Sequence, residues 1–122
     1  MSETKVLIVD DDVMLIYALK RRLRAAGYAT IYAVDALTAI EAAQAESPDV
    51  IILDLGMACR DGFWLMQELK ASPSTAAMPV IVLTGRDSQE DRDRALKAGA
   101  ADFLEKPADE ARLLKSIKSV LM

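Results

Sequence analysis

The stretch "VLIVDDD", residues 6–12, places four apolar residues directly before three carboxylates. A continuous run of Val, Leu and Ile is typical of a strand that is covered on both faces of a parallel sheet. Carboxylates are costly to remove from water, so three in a row are not expected to continue such a strand into the core. The stretch therefore predicts a buried strand that ends at a polar edge of the sheet.

Four more short apolar runs follow the first one, and amphipathic segments separate them. The five predicted strands are "KVLIV" (5–9), "ATIYAV" (29–34), "VIILDL" (50–55), "VIVLT" (80–84) and "DFLE" (102–105). The predicted helices cover residues 14–26, 37–45, 62–71, 88–98 and 109–121. This alternation predicts an α/β fold, a doubly wound (βα)5 parallel sheet with helices on both faces. The second and fifth runs are the weakest, so we expect them at the sheet edges.

The apolar spacing also predicts which side chains are buried. In the first helix, the positions on one face are Ile16, Leu19, Leu23 and Ala26. Gly27 is expected to end this helix. Three methionines are expected to fill gaps in the core, namely Met14, Met57 and Met66.

The composition narrows the class of protein. The 122 residues predict one domain, residues 1–122, and the net charge of −4 argues against non-specific nucleic-acid binding. The chain has no histidine and one cysteine, Cys59, so it cannot form an internal disulfide or a zinc site of the usual His/Cys type. The start, "MSETK", does not have the apolar region of a signal peptide, and no apolar run approaches the ~20 residues that span a bilayer. We expect a cytoplasmic protein that does not bind membranes.

Polar side chains end the predicted strands, where ligands bind in sheets of this class. They are Asp10, Asp11 and Asp12 after the first strand, Asp54 within the end of the third, Thr84 at the end of the fourth and Lys106 after the fifth. If the first and third strands are neighbours, Asp10, Asp11 and Asp54 converge.

Converging carboxylates repel one another, and either a shared proton or a bound cation relieves this. Oxygen ligands without His or Cys suit Mg²⁺ (magnesium) or another hard divalent ion. Asp54 is a candidate nucleophile that forms an aspartyl phosphate, with Thr84 and Lys106 as phosphate partners. The simpler alternatives are that Asp12 caps the first helix and that the other side chains serve only their loops.

Five segments in register resemble the receiver domains of two-component response regulators, over essentially the whole chain. They are "VLIVDDD", "PDVIILDL", "DG" at 61–62, "VIVLTG" and "GAADFLEKP". The spacings agree as well, with 30 residues from Asp54 to Thr84 and 52 from Asp54 to Lys106. The resemblance implies a flavodoxin-like fold with strand order 2-1-3-4-5.

The resemblance also implies roles for the acidic residues. Asp54 accepts a phosphoryl group from a phosphohistidine on a histidine kinase or a histidine phosphotransfer protein of a phosphorelay. Mg²⁺ is held by Asp11, Asp54 and the backbone carbonyl of Gly56, and Asp10 binds it through a water molecule. The chain is then a signalling switch with self-catalysed phosphotransfer and autodephosphorylation, and not an enzyme in its biological role.

The remaining matched positions are implied to sense the phosphoryl group. Lys106 pairs with one of its oxygens and Thr84 donates to another, while a cis peptide bond at Lys106–Pro107 orients the lysine. Thr84 and Phe103 form the switch, which reshapes the face made by the fourth helix, fifth strand and fifth helix. A downstream effector or a fused output domain reads that face.

The sequence departs from the family's usual pattern in the two loops after the third and fourth strands. Ala58 replaces a common proline and Cys59 adds a thiol, so a more mobile loop is expected. Gly56 and Arg86 occupy the two positions that influence how water reaches the phosphoryl group, so altered autodephosphorylation is expected. Phe103 replaces the commoner tyrosine and lacks its hydroxyl.

Three other functions fit parts of the pattern. A small Mg²⁺-dependent aspartyl-phosphate phosphatase or phosphotransferase would use Asp54, although Gly56 replaces the second acid of the usual Asp-x-Asp motif. A nucleotide- or flavin-binding module would need a glycine-rich loop where the acids stand. A degenerate receiver would act only as a docking module. For a phosphohistidine partner, the basic segment 20–24 on the predicted first helix is a candidate docking surface. Both a stand-alone receiver and part of a longer protein remain open.

Overall fold

The computed structural model describes residues 3–57, 62–85 and 89–122. In this part of the chain five strands alternate with five helices. The strands are β1 (Lys5–Val9), β2 (Ala29–Ala33), β3 (Val50–Leu53), β4 (Val80–Thr84) and β5 (Asp102–Glu105). The helices are α1 (Val13–Ala25), α2 (Ala36–Glu46), α3 (Gly62–Ala71), α4 (Gln89–Lys97) and α5 (Glu110–Leu121). The predicted element order is confirmed.

The strands form one parallel sheet in the order β2-β1-β3-β4-β5. The three strands with near-continuous aliphatic sequences, β1, β3 and β4, lie in the middle, and every residue of β3 and β4 is buried. The two weaker runs lie at the edges, as predicted. Strand order 2-1-3-4-5 is therefore confirmed, and it places β1 and β3 side by side.

Helices cover both faces of the sheet, and alternate residues of each strand contribute to the two apolar clusters. Val6 and Ile8 of β1 belong to the cluster that includes buried residues of α1 and α5. Leu7 and Val9 belong to the cluster that includes buried residues of α2, α3 and α4. This period of two is what a strand buried on both faces requires.

Several element ends differ from the predictions. β3 ends at Leu53, so Asp54 lies just beyond the strand and not within it. Helix α1 begins at Val13 because the Asp12 side chain caps it, accepting hydrogen bonds from the N–H groups of Met14 and Leu15. Ala26 is the exposed residue after that helix and does not join its buried face.

The methionine prediction is only partly correct. Met57 and Met66 are buried, but Met14 is 79% exposed. Met14 lies one residue after the start of α1 and points away from the face that Ile16 and Leu19 present to the sheet. Gly27 and Gly99 follow α1 and α4 with φ of +94° and +104°, a left-handed conformation that suits glycine.

Two further predictions lie outside the described residues. They are the start of the fourth helix at Ser88 and the aspartate of the "DG" turn at Asp61. Among the helices that are described, none combines the length and the apolar character that crossing a membrane requires.

Candidate functional site

Three carboxylates meet where β1 and β3 end. Val9 pairs with Leu53 in the sheet, and the N–H of Asp54 donates to the Val9 carbonyl at 3.0 Å. The next residues along the two strands therefore lie side by side. One carboxylate oxygen from each of Asp10, Asp11 and Asp54 lies within 4.8 Å of the others. The predicted convergence of these three residues is confirmed.

The three carboxylates differ in their exposure to water. Asp10 is 3% exposed and Asp54 is 7% exposed, whereas Asp11 is exposed. Two of the three acids are therefore buried, and the third is accessible to solvent. Hard oxygen donors without nitrogen or sulfur are the ligands that Mg²⁺ prefers, so the donor set fits this ion.

Lys106 supplies a positive charge to the buried acids. Its Nζ donates to Asp10 Oδ2 at 2.7 Å and lies 3.6 Å from Asp54 Oδ2. The lysine backbone is fixed as well, because its N–H donates to the Thr84 carbonyl at 2.9 Å. The Lys106–Pro107 peptide bond is cis, as the resemblance predicted. From the sequence, a shared proton or a bound cation was expected to relieve the repulsion between the carboxylates. In the structure, the positive charge of Lys106 also reduces this repulsion.

Burial raises the pKa of the Asp10 carboxyl above its usual value of 3.8. The hydrogen bond from Lys106 and the N–H of Asp12, which donates to Asp10 Oδ1 at 2.8 Å, act in the opposite direction. The lysine charge also lowers this pKa, and the neighbouring Asp54 raises it again. The ionised form of Asp10 is thus held at a net cost in the folded chain.

We expect Asp10→Asn to raise the free energy of unfolding at pH 7 in a buffer with a metal chelator. The pKa of Asp10 is higher in the folded than in the unfolded state, so its contribution to stability is full below pH 3.8 and is lost as pH rises through the folded pKa. Urea unfolding of wild type and variant across this range measures the difference. The gain should be greatest at neutral pH and disappear in acid, and a gain that does not change with pH would contradict the assignment.

Asp12 takes a different role from its two neighbours. Its Oδ1 accepts from the N–H groups of Met14 and Leu15 at 3.0 and 3.2 Å. It is not part of the carboxylate cluster found among the described residues. The helix-cap alternative is therefore correct for Asp12.

Gly62 allows the start of α3 to pack against the end of β3. A Cβ atom at this position would lie 2.7 Å from the Asp54 carbonyl oxygen and 2.9 Å from the Leu55 Cα. The Gly62 N–H donates to the Leu55 carbonyl at 3.0 Å. The sequence placed this glycine in a turn, but its steric role depends on a contact that only the folded chain shows.

The two predicted switch residues are both buried. Thr84 is 0% exposed at the end of β4, and Phe103 is 1% exposed in β5, where its Cα pairs with that of Val82. The Arg92 guanidinium lies over the Phe103 ring, 4.8 Å from its centroid. Sequence reasoning missed Arg92, whose position near Phe103 follows only from the packing of α4 beside β5.

A second polar pair was also missed. The Ser116 hydroxyl of α5 donates to Asp102 Oδ2 at 2.7 Å, and Asp102 Oδ1 accepts from the Phe103 N–H at 2.8 Å. This pair ties α5 to β5. The sequence feature that could have revealed this pair is the serine within the apolar face of the last helix.

Four residues of the loops after β3 and β4 complete the predicted set. Gly56 is exposed, two positions beyond Asp54, where its carbonyl is expected to act. Arg86, and the loop positions Ala58 and Cys59, lie outside the described residues, so their expected roles remain predictions.

Comparisons with known proteins identify the family of the chain. The family model described as "Response regulator receiver domain" matches residues 6–118. The chain is 37% identical over 116 residues to the response regulator PleD of Caulobacter vibrioides, covering 95% of this chain and 26% of PleD. It is 36% identical over 117 residues to protein PilH of Pseudomonas aeruginosa, covering 96% of this chain and 97% of PilH.

A solved structure gives the same result for the fold. The chemotaxis response regulator CheY4 of Vibrio cholerae superimposes with a TM-score of 0.93 at 32% identity, covering 98% of this chain and 100% of the other. The chain spans about a quarter of PleD but nearly all of PilH. With its strand order, its acidic cluster and this family match, the chain belongs to the response regulator receiver domains of two-component signalling.

Proposed function

We propose that the chain is a phospho-accepting receiver in which Asp54 takes a phosphoryl group from a phosphohistidine. The donor is a histidine kinase or a histidine phosphotransfer protein. The observation that carries this proposal is the group formed by Asp10, Asp11, Asp54 and Lys106 at the C-terminal ends of the strands. Such a group has a nucleophilic oxygen, ligands for a divalent cation and a fixed cation of its own.

The residues fit Mg²⁺ as the required ion. Asp11, Asp54 and the Gly56 backbone carbonyl would hold it, with Asp10 acting through a water molecule. When bound, the ion neutralises negative charge on the carboxylates and on the phosphoryl oxygens. Because Asp11 is exposed, the ion can reach the site from solvent. Because Asp10 and Asp54 are buried, water screens their negative charge only weakly.

The chain's own residues then carry the transfer. An oxygen of the Asp54 carboxylate attacks phosphorus while the bond from phosphorus to the histidine nitrogen breaks. The electron pair of that bond leaves with the imidazole, and Asp54 becomes an aspartyl phosphate. Lys106 already lies 3.6 Å from Asp54 Oδ2, so it is close enough to pair with a phosphoryl oxygen. Thr84, buried at the end of β4, is the proposed hydroxyl donor.

The output is a shift between two conformations of the face formed by α4, β5 and α5. Phe103 is already buried in the structure, so phosphorylation of Asp54 is expected to increase the population of this conformer and not to create it. To shift such an equilibrium from about 1:99 to about 99:1, phosphorylation must stabilise one conformation over the other by about 5.5 kcal/mol. A downstream effector or a fused output domain would read the result.

The proposal is tested by incubating the protein with acetyl phosphate and Mg²⁺ and measuring its intact mass. We expect one phosphoryl adduct on wild type and none on Asp54→Ala. Asp12→Ala is the matched control, because this aspartate caps a helix outside the carboxylate cluster, and it should still form the adduct. Wild type without an adduct, or an adduct that persists in Asp54→Ala, would refute the proposal.

Asp11→Ala is expected to weaken Mg²⁺ binding far more than Asp12→Ala does. Asp11 contributes a carboxylate to the cluster, and Asp12 does not. Asp12→Ala should instead lower the free energy of unfolding by about 1 kcal/mol, the usual cost of losing a helix cap. Calorimetric Mg²⁺ titration and urea unfolding of both variants separate the two effects. Equal loss of Mg²⁺ affinity in the two variants would contradict the different roles.

A further inference from the structure

A groove between α3 and α4 lies apart from the acidic cluster. It has a volume of about 550 Å³ and is lined by Phe63, Trp64, Gln67, Lys70, Arg94 and Ala98. This volume is within the range of sites that bind small molecules or anchoring side chains. None of these residues belongs to the carboxylate cluster, so a partner in the groove would not occupy the site around Asp54.

The groove combines aromatic surface with an oriented arginine. Phe63 is nearly buried, and the Arg94 guanidinium stacks on its ring with 3.8 Å between the guanidinium carbon and the ring centroid. Trp64 is partly exposed beside it. Stacking on an aromatic ring leaves the edge of a guanidinium, which carries its N–H donors, available to carboxylates.

Lys70 is also held in place before any partner binds. Its Nζ donates to the Ala76 carbonyl at 3.1 Å. A Cβ atom at position 99 would lie 2.9 Å from the Lys70 Cε, so Gly99 leaves the space that this side chain occupies. Two long cationic side chains that are already ordered lose less conformational entropy when they bind an anion.

The charge of the groove is opposite to that of the chain. Among the described residues that line it, two are cationic and none is acidic, whereas the whole chain carries a net charge of −4. Trp and Arg are the side chains that most often dominate binding energy at protein interfaces. A short acidic segment with an apolar side chain matches both the cations and the aromatic surface, while the overall negative charge disfavours a long nucleic acid.

We propose that this groove binds an acidic peptide segment of a partner protein. An apolar side chain of the segment packs against Trp64 and Phe63, and its carboxylates pair with Arg94 and Lys70. The groove contains no residue of the carboxylate cluster, so the proposed interaction can be tested separately from the proposed function.

The test is a selection of random short peptides displayed on phage against the intact protein, followed by affinity measurements on Arg94→Glu, which takes no part in the selection. The selected sequences are then synthesised without tryptophan and titrated against the protein. Trp64 is the single tryptophan of the chain and reports binding through its fluorescence. Lys118→Glu is the matched charge reversal, because Lys118 is exposed on α5, which packs on the opposite face of the sheet. Circular dichroism checks that both variants fold.

We expect the selected peptides to be acidic, to contain an apolar residue and to change Trp64 fluorescence. Their affinity should fall on the order of ten-fold in Arg94→Glu and remain within about two-fold in Lys118→Glu. Arg94→Gln removes the charge without reversing it, so its affinity for the peptides should lie between those of Arg94→Glu and Lys118→Glu. Selected peptides without acidic enrichment, or with equal affinity for Arg94→Glu, would overturn the proposal. Self-association at rising concentration that Arg94→Glu abolishes would overturn it in favour of a second copy of the chain.

Discussion

Gly62→Ala is expected to lower the free energy of unfolding by about 2 kcal/mol, as overpacked contacts typically do. The added Cβ would lie 2.7 Å from the Asp54 carbonyl oxygen and 2.9 Å from the Leu55 Cα. Both contacts are to backbone, so no side chain can move aside to make room. Either α3 moves away from the sheet or the segment that carries Asp54 shifts.

Urea unfolding measures the loss of stability, and Mg²⁺ titration measures the effect on the site. We expect weaker Mg²⁺ binding because a displaced Asp54 no longer matches Asp10 and Asp11 in position. Gly85→Ala is the matched control, since a Cβ there meets nothing within 4 Å among the described residues. That variant should change stability by less than about 1 kcal/mol. A Gly62→Ala protein as stable as Gly85→Ala would show that the close approach does not constrain the chain.

Lys106→Met is expected to lower the free energy of unfolding by about 2 kcal/mol at pH 7 in a buffer with a chelator. The variant leaves buried Asp10 without the charge that now lies 2.7 Å from it, next to Asp54. Breaking a fully buried pair costs more, about 3–5 kcal/mol, but the Lys106 side chain is 22% exposed and part of that cost is screened. Methionine is one atom shorter than lysine, but it keeps a flexible apolar stem in the same place.

Saturating Mg²⁺ should reduce this loss, because a bound cation replaces the missing positive charge. We also expect the variant to bind Mg²⁺ more tightly than wild type, since Lys106 no longer repels the ion. Lys5→Met is the matched control: it breaks an exposed ion pair to Glu46 at 3.1 Å and should cost less than about 1 kcal/mol in either buffer. A loss in Lys106→Met that Mg²⁺ does not reduce would contradict the electrostatic explanation.

The fold was predictable because its signals are local. Near-continuous aliphatic runs identified β1, β3 and β4 as central strands, and weaker runs identified β2 and β5 as edge strands. That β1 and β3 are neighbours was implied by the resemblance. The convergence of Asp10, Asp11 and Asp54 follows from it, since the C-terminal ends of neighbouring parallel strands lie side by side.

The details that sequence reasoning missed depend on contacts between distant parts of the chain. The exposure of Met14 follows from where the Asp12 cap starts α1. The steric role of Gly62 depends on how closely α3 approaches the end of β3. The ion pair between Lys106 and Asp10 joins residues 96 positions apart, and sequence reasoning assigned the lysine to a phosphoryl oxygen. A single sequence does not record such distances.

The most direct test of the central claim is to find which residue carries the phosphoryl group. The protein is incubated with acetyl phosphate and Mg²⁺, reduced with borohydride, which converts an aspartyl phosphate to homoserine, and digested for peptide sequencing by mass spectrometry. Homoserine at position 54, absent when the chelator replaces Mg²⁺, is the result we predict. Homoserine at position 10 or 11, or no conversion in the presence of Mg²⁺, would contradict the account.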